Sequence, residues 1–173
     1  DEIVYEKCSH LLGGSKIVVS EQKESILKNI KKNISKNSSS KFIFGKDYKY
    51  KKINNGFIYK DKKGEINLPY PNLLGDFQIS NVSTAIGTIR NLNQFKIKES
   101  HIRDAITKIR SEGRLQFIKE GKLRKYVSNN NKILIDGAHN PLAAKAIEKY
   151  LGSLNSRRKI IMLLGMMANK DHK

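Results

Sequence analysis

The stretch Ile133-Leu134-Ile135-Asp136-Gly137-Ala138-His139-Asn140-Pro141 holds the groups of this chain best placed to do chemistry. Asp136 follows a continuous apolar run that reads as a buried strand, and open α/β sheets place their ligand crevices at the carboxyl ends of such strands. A carboxylate there suits the hydroxyls of a ribose. Gly137 is expected to let the chain turn sharply. His139 stands beside Asn140-Pro141, a preferred helix cap followed by a residue whose missing N–H has no partner in the first helical turn anyway. A helix starting there would offer unpaired N–H groups and the positive end of its dipole to a carboxylate or phosphate. In a plainer reading, Asp136 and Asn140 only cap the helix and His139 decorates the surface.

The elements around this stretch alternate between strand and helix, with a β-rich interruption. Ile17-Val18-Val19 reads as a short buried strand, and Ile26, Leu27, Ile30 and Ile34 line one face of the helix after it. Asn37 to Ser40 reads as a polar loop. From Phe42 to about Leu68 short aromatic and β-branched segments are broken at Asn54-Asn55-Gly56 and Lys62-Lys63-Gly64, which is hairpin chemistry. Leu68-Pro69-Tyr70-Pro71 is an extended linker. Helical spacing returns at Ile79, Val82, Ile86 and Ile89, and again at Ile102, Ala105, Ile106 and Ile109, where Ser100 is placed as an N-cap. Gly113-Arg114 breaks the pattern, and the domain boundary is set just before it. Leu115 to Ile118 then reads as a strand opening a hairpin that ends near Val127, with a polar turn at Asn129 to Asn131. A strand at Ile133-Leu134-Ile135, a helix from Asn140-Pro141 and a strand from Ile160 to Leu164 predict a parallel βαβ unit.

Composition narrows the function classes. Thirty-eight per cent of the residues are hydrophobic, enough for a core and too many for general disorder. No apolar stretch is long enough to span a membrane, and a single cysteine, Cys8, cannot form an internal disulfide, so cytoplasmic residence is expected. The net charge of +18 invites a nucleic-acid reading. Against it, the basic residues are mostly Lys, lie scattered in an Asn- and Ile-rich background, and form no Arg-rich arm or aromatic-interleaved stripe. What survives is a surface field favourable to anionic substrates.

Asp136-Gly137-Ala138-His139-Asn140-Pro141 after an apolar strand resembles the C-terminal-domain signature of the dihydrofolate synthase/folylpolyglutamate synthase family, within the Mur ligase superfamily. Four further segments follow that family's order. Glu6-Lys7 resembles its Glu-Lys-Ala-Gly-Ile segment, although Cys8-Ser9-His10 follows here. Leu74-Gly75-Asp76-Phe77-Gln78-Ile79-Ser80-Asn81 resembles its Leu-Gly-x-His/Phe-Gln-x-x-Asn element. Gly113-Arg114-Leu115-Gln116 resembles its Pro-Gly-Arg-Leu-Gln element, with Glu112 replacing the Pro. Leu164-Gly165-Met166-Met167 with Lys170-Asp171 resembles its Gly-to-Lys-Asp loop. Each segment is weak alone; five in order are strong.

The resemblance implies an α/β fold in which residues 1–110 are the later part of a P-loop-type Mur ligase central domain, carrying the antiparallel β-rich segment. Residues 113–173 would open a Rossmann-like C-terminal domain. It implies ATP binding through Asn81 on the adenine side, Arg114 at the phosphates and Asp136 at the ribose, with His139 placing the incoming glutamate. Lys7 matches a lysine that family members carry as a carbamate ligand to Mg²⁺. The bland counterparts are a solvated Lys7, an Arg114 covering a joint with its stem, and an Asn81 that caps its helix. The implied reaction is ATP-dependent addition of glutamate to dihydropteroate and/or folate through an acyl phosphate. The partners are then dihydropteroate or folate and L-glutamate, with no nucleic acid and no membrane, in a monomer. The spacing G-x-x-x-x-G-K-[ST] is absent: Gly14-Ser15-Lys16, Gly45-Lys46-Asp47 and Gly121-Lys122-Leu123 all fail it. The missing initiator Met and the abrupt end suggest a fragment, inactive alone. Two alternatives are another Mur-type amino-acid ligase and a basic nucleic-acid-binding module.

Overall fold

A computed structural model describes residues 2–34, 38–154 and 159–167. The chain divides into two compact units, Asp1–Pro71 with Ile79–Lys108, and Asn72–Gln78 with Ile109–Lys173.

The first unit opens with α1 (Glu2–Ser9), β1 (Ser15–Val19), α2 (Glu24–Ile34) and β2 (Ser38–Ile43). β1 and β2 are parallel, with Ile17 opposite Lys41 and Val19 opposite Ile43, so α2 is the crossover of a βαβ unit. Val19, Ile34 and Ile43 are buried together, with Leu11, Ile17, Leu27 and Ile30 packed on them. Leu27, Ile30 and Ile34 of the stripe read from the sequence thus face this core, whereas Ile26 is 37% exposed. The polar loop expected at 37–40 is corrected over Ser38–Ser40, which belong to β2; Asn37 lies outside the described residues. Three serines carry no apolar alternation. What makes them a strand is the main-chain pairing with β1, which local sequence does not reveal.

An antiparallel meander follows: β3 (Tyr48–Ile53), β4 (Gly56–Asp61) and β5 (Gly64–Leu68). Both hairpins have two-residue loops, Asn54-Asn55 and Lys62-Lys63, with Ile53 opposite Gly56 and Asp61 opposite Gly64. The positive φ sits on the glycine that closes each loop, Gly56 at 156° and Gly64 at 113°, not on the asparagines. Gly56 also has no room for a side chain, since a Cβ there would lie 2.0 Å from the Leu68 carbonyl oxygen.

One face of the meander carries Tyr48, Phe57, Tyr59, Ile66 and Leu68. They are buried with Ile79, Val82 and Ile86 of α3 (Phe77–Asn91) and Ile102 and Ile106 of α4 (Glu99–Lys108). Phe57 and Tyr59 are wholly removed from solvent. Burying one such ring contributes about 1.5–3 kcal/mol. The rings also order one another, since Phe42 stacks on Tyr48 at 5.1 Å and Tyr48 on Tyr59 at 5.9 Å. α4 begins at Glu99, so Ser100 is its second residue and not its cap.

The second unit holds β6 (Gln116–Ile118), a 3₁₀ turn at Lys122–Tyr126, β7 (Ile133–Ile135) and α5 (Pro141–Ser153). β6 and β7 are antiparallel, with Gln116 opposite Ile135 and Ile118 opposite Ile133. The strand pairing with Leu115–Ile118 is therefore β7, and the segment near Val127 belongs to the intervening turn. The parallel βαβ unit expected over 133–164 is not formed among the described residues. Residues 159–167 are neither helix nor strand, and Leu163 is 95% exposed. The run is apolar enough for a strand, but a strand exists only through a neighbour that takes its main-chain hydrogen bonds. No described residue does so. Among the described residues no helix is long and apolar enough to cross a membrane.

Candidate functional site

Arg114, Asp136 and His139 come from two loops that meet at one end of the β6–β7 pair. The pairing of Gln116 with Ile135 forces this, because it sets the residues before β6 beside those after β7. Four short hydrogen bonds then bind and shape the loops. Gly137 N–H donates to the Gly113 carbonyl at 2.7 Å. Leu115 N–H donates to Asp136 Oδ2 at 2.8 Å, and Ala138 N–H to Asp136 Oδ1 at 2.7 Å. Gly113 N–H donates to Gln116 Oε1 at 2.8 Å. Both oxygens of the Asp136 carboxylate thus accept a main-chain hydrogen, in bonds stronger than neutral ones because the acceptor is charged.

Leu115, between Arg114 and Gln116, has φ 44°, the sole non-glycine residue of the described chain in the left-handed region. That conformation costs a branched-chain residue roughly 1–2 kcal/mol. Burial offsets the cost, since Leu115 is 1% exposed. Its side chain borders Gly75, where an added Cβ would lie 3.1 Å from Leu115 Cδ1 and 2.5 Å from the Phe77 ring. Gly75 is itself at φ 95°. Gly137, expected to supply a sharp turn, is not at positive φ, and a Cβ there would meet the Gly113 oxygen at an ordinary 3.5 Å. The unusual backbone lies on the other loop, at Gly113 and Leu115.

α5 starts as its sequence indicates. Asn140 caps it by accepting the Ala143 N–H on Oδ1 at 2.9 Å, and Pro141 occupies the first turn. Of the first three positions Pro141 lacks an N–H and Ala143's is taken by the cap. Leu142 alone is left to offer one, so the helix end is a weaker anion site than the sequence suggests. His139 is exposed, with Nδ1 2.9 Å from the Gly137 carbonyl. A carbonyl only accepts, so Nδ1 carries the hydrogen, and Nε2 is the ring's remaining polar atom. Asn140→Ala is expected to lower stability by about 1 kcal/mol, read as a lower thermal or urea midpoint. A midpoint within error of the parent's would remove the cap from the account.

The other described site residues, Lys7 and Asn81, belong to the first unit. Asn81 is exposed in the second turn of α3, which begins at Phe77, so it is inside its helix and not its cap. Lys7 is exposed on α1, its Nζ 3.2 Å from a Glu6 carboxylate oxygen. Magnesium takes about six oxygen ligands, and a carbamate on Lys7 beside Glu6 would supply two side chains. Among the described residues no cluster of three or more His, Cys, Asp or Glu could hold a metal, so these residues do not by themselves fit Mg²⁺. Lys170-Asp171 lies outside the described residues. An open cleft of about 340 Å³ beside β6 and β7 is lined by Phe117, Arg124 and Lys132 among others, and by none of the predicted residues. Reasoning from the sequence named Leu115 and Gln116 only as members of a matched element and gave neither a role. Nothing in the sequence shows that Gln116 accepts from Gly113, and leucine is a residue type that argues against positive φ.

Residues 113–173 match the family described as Mur ligase, glutamate ligase domain. The chain is 33% identical over 93 residues to the dihydrofolate synthase/folylpolyglutamate synthase of Buchnera aphidicola subsp. Acyrthosiphon pisum, covering 54% of this chain and 20% of that protein. It is 27% identical over 128 residues to the Escherichia coli K12 protein of the same description, covering 73% of this chain and 27% of that one. This chain therefore spans about a quarter of the curated relatives it matches. The structure of E. coli FolC in complex with DHPP and ADP superposes with TM-score 0.74 at 23% identity, over 91% of this chain and 34% of that one. That likeness establishes the α/β fold. Residues 113–173 thus match the Mur ligase glutamate ligase domain, and the chain is similar over most of its length to dihydrofolate synthase/folylpolyglutamate synthases.

Proposed function

We propose that the complete gene product is an ATP-dependent ligase that adds glutamate to dihydropteroate, folate or both. The observation that carries this reading is the glutamate ligase domain match over the residues that supply Arg114, Asp136 and His139. The ADP and DHPP bound by the E. coli neighbour are the ligand classes the reading would require. In the first step an oxygen of the substrate carboxylate bonds to the γ-phosphorus of ATP and ADP leaves, giving an acyl phosphate. In the second the amino nitrogen of glutamate bonds to the acyl carbon, phosphate leaves and the nitrogen gives up a proton. Arg114 is the residue for the transferring phosphoryl group, because a fixed guanidinium fork matches the charge spread over its oxygens. Asp136 is assigned to the ribose, His139 to the incoming glutamate and Asn81 to the adenine side. Lys7 carried as a carbamate would add oxygen to the ligands of the magnesium that accompanies ATP, the rest having to come from outside the described residues. In domain terms, residues 1–110 would be the later part of the ATPase domain and 113–173 the start of the ligase domain.

The test is ATP cleavage by the complete gene product with dihydropteroate or folate and with glutamate, each omitted in turn. Cleavage requiring both, with one ¹⁸O passing from the labelled substrate carboxylate into phosphate, is the expected result. Cleavage indifferent to glutamate, or phosphate free of label, would overturn the reading. The 173-residue chain alone is expected to show no turnover, since none of its glycine-lysine segments has P-loop spacing.

A further inference from the structure

We infer that Asp136 is a positioning residue for Arg114, acting through the main chain of Leu115. Three observations converge. Leu115 is the sole non-glycine residue of the described chain at positive φ, and it follows Arg114 directly. Its N–H is held by Asp136 Oδ2 at 2.8 Å, while Oδ1 of the same carboxylate holds Ala138 N–H at 2.7 Å. The Gly137–Gly113 bond at 2.7 Å closes the other side of the loop. The direction in which residue 114 leaves the backbone depends on the torsions of its neighbours, and the least favourable of these is the one Asp136 fixes. Among the described residues the carboxylate is the only acceptor of the Leu115 N–H.

A carboxylate has about four lone-pair sites, so Asp136 can hold two main-chain hydrogens and still accept from a ligand. Yet the two roles separate experimentally. A ribose role vanishes when the ribose hydroxyls vanish; a role through Leu115 does not. The inference rests on the ligase reading in one respect, that Arg114 meets a nucleotide phosphate.

The experiment uses the complete gene product and Asp136→Asn, which keeps shape but puts an NH₂ where one main-chain donor must be received. Binding of ATP and of 2′,3′-dideoxy-ATP is measured by calorimetry for the parent, Asp136→Asn, Arg114→Ala and the double variant. Hydrogen exchange at the Leu115 amide is measured with no nucleotide present. The expected result is a loss of about tenfold or more in Asp136→Asn, the same for both nucleotides, as for a lost hydrogen bond to a charged group. In the double variant the two losses should fall short of multiplying, because Asp136 acts through Arg114. Exchange at Leu115 should quicken at least tenfold while the thermal midpoint stays near the parent's. A loss confined to ATP would overturn the inference in favour of a ribose contact, and so would multiplicative losses. Unchanged exchange at Leu115 would overturn it whatever the nucleotides do. A parent that binds neither nucleotide refutes the ligase reading and the Arg114 role with it, an outcome distinct from a parent that binds both and a variant that is unaffected.

Discussion

With Arg114 replaced by alanine, the complete gene product is expected to lose ligase turnover by a factor on the order of 10³, with its fold intact. The intact fold follows from the geometry, and the loss from the role proposed for Arg114. Arg114 is exposed and makes no hydrogen bond or ion pair with any described residue, so removing the side chain leaves none of their buried groups without a partner. A surface substitution of that kind changes stability by no more than about 0.5 kcal/mol. By contrast, the groups that shape its loop are main-chain atoms and the Asp136 carboxylate, all of which survive the substitution. In the proposed role the guanidinium meets charge that develops as the phosphoryl group transfers, so the loss should fall on kcat. Arg114→Lys keeps the charge but not the planar fork and should recover only part of the rate. Steady-state kcat and KM for ATP, with a thermal melt of each variant, decide the matter. A kcat within twofold of the parent, or a collapsed melt, would sink the assignment.

How far the site could be read from sequence depends on the range of each interaction. The Asn140-Pro141 helix start is local, and the structure places it where the residues indicate. The buried stripes of α2, α3 and α4 are nearly local, since a 3.6-residue period declares a face even when its partner is unknown. The hairpin glycines, Gly56 and Gly64, were legible for the same reason. β2 was not, because Ser38-Ser39-Ser40 acquires strand character only from β1, more than 20 residues earlier. The reverse error occurred at Ile160 to Leu164, where an apolar run suggested a strand and the described residues hold no pairing partner for it. In the candidate site the residue types were visible, but the wiring was not. No periodicity says that Asp136 accepts from Leu115, 21 residues away, or that a leucine takes the left-handed conformation beside it. The sequence reading placed the special backbone at Gly137; tertiary contacts moved it to the opposite loop. The grouping of residues 72–78 with the second unit is of the same non-local kind. The Asn72 amide donates to the Ile109 carbonyl at 3.2 Å, and Lys149 lies 3.4 Å from Asp76.

The largest stability effect is expected in the first unit, where Asp61 of β4 meets Arg90 of α3. Arg90 Nε and Nη2 each donate to an Asp61 oxygen at 2.8 Å, a bidentate pair whose side chains are 2% exposed on Asp61 and 16% on Arg90. Lys63 N–H also donates to Asp61 at 2.8 Å, the Tyr59 hydroxyl reaches it at 3.3 Å, and Lys63 Nζ donates to the Arg90 carbonyl. The guanidinium lies 5.8 Å from the Tyr59 ring centre. Burial by itself would push the Asp61 carboxyl up, but the hydrogen bonds from Arg90 and Lys63 and the Arg90 charge outweigh it and hold the carboxyl below its ordinary value. Burial, and next the negative charge of Asp61, push the Tyr59 hydroxyl far up, so it stays protonated as a donor.

Arg90→Met keeps the apolar stem and leaves a buried carboxylate without its partner, a change that costs about 3 kcal/mol or more. The sign of the pH dependence follows. In the parent the folded value of Asp61 lies below the unfolded one, so its stabilisation is complete above the ordinary carboxylate range and is lost as pH falls through the lower, folded value. In Arg90→Met burial dominates and the folded value rises, so the variant's penalty is greatest near neutrality and shrinks on acidification. The stability gap between the two should therefore start to narrow as pH falls through the variant's raised value, and be smaller at pH 3.5 than at pH 7. Asp61→Asn combined with Arg90→Met removes the orphaned charge while keeping an acceptor for Lys63 N–H and the Tyr59 hydroxyl, and should recover much of the loss. Urea unfolding of the parent, the single and the double variant at pH 7 and pH 3.5 measures all of this. A single variant as stable as the parent, or a gap that does not change with pH, would mean that packing of β4 against α3 does not depend on the ion pair.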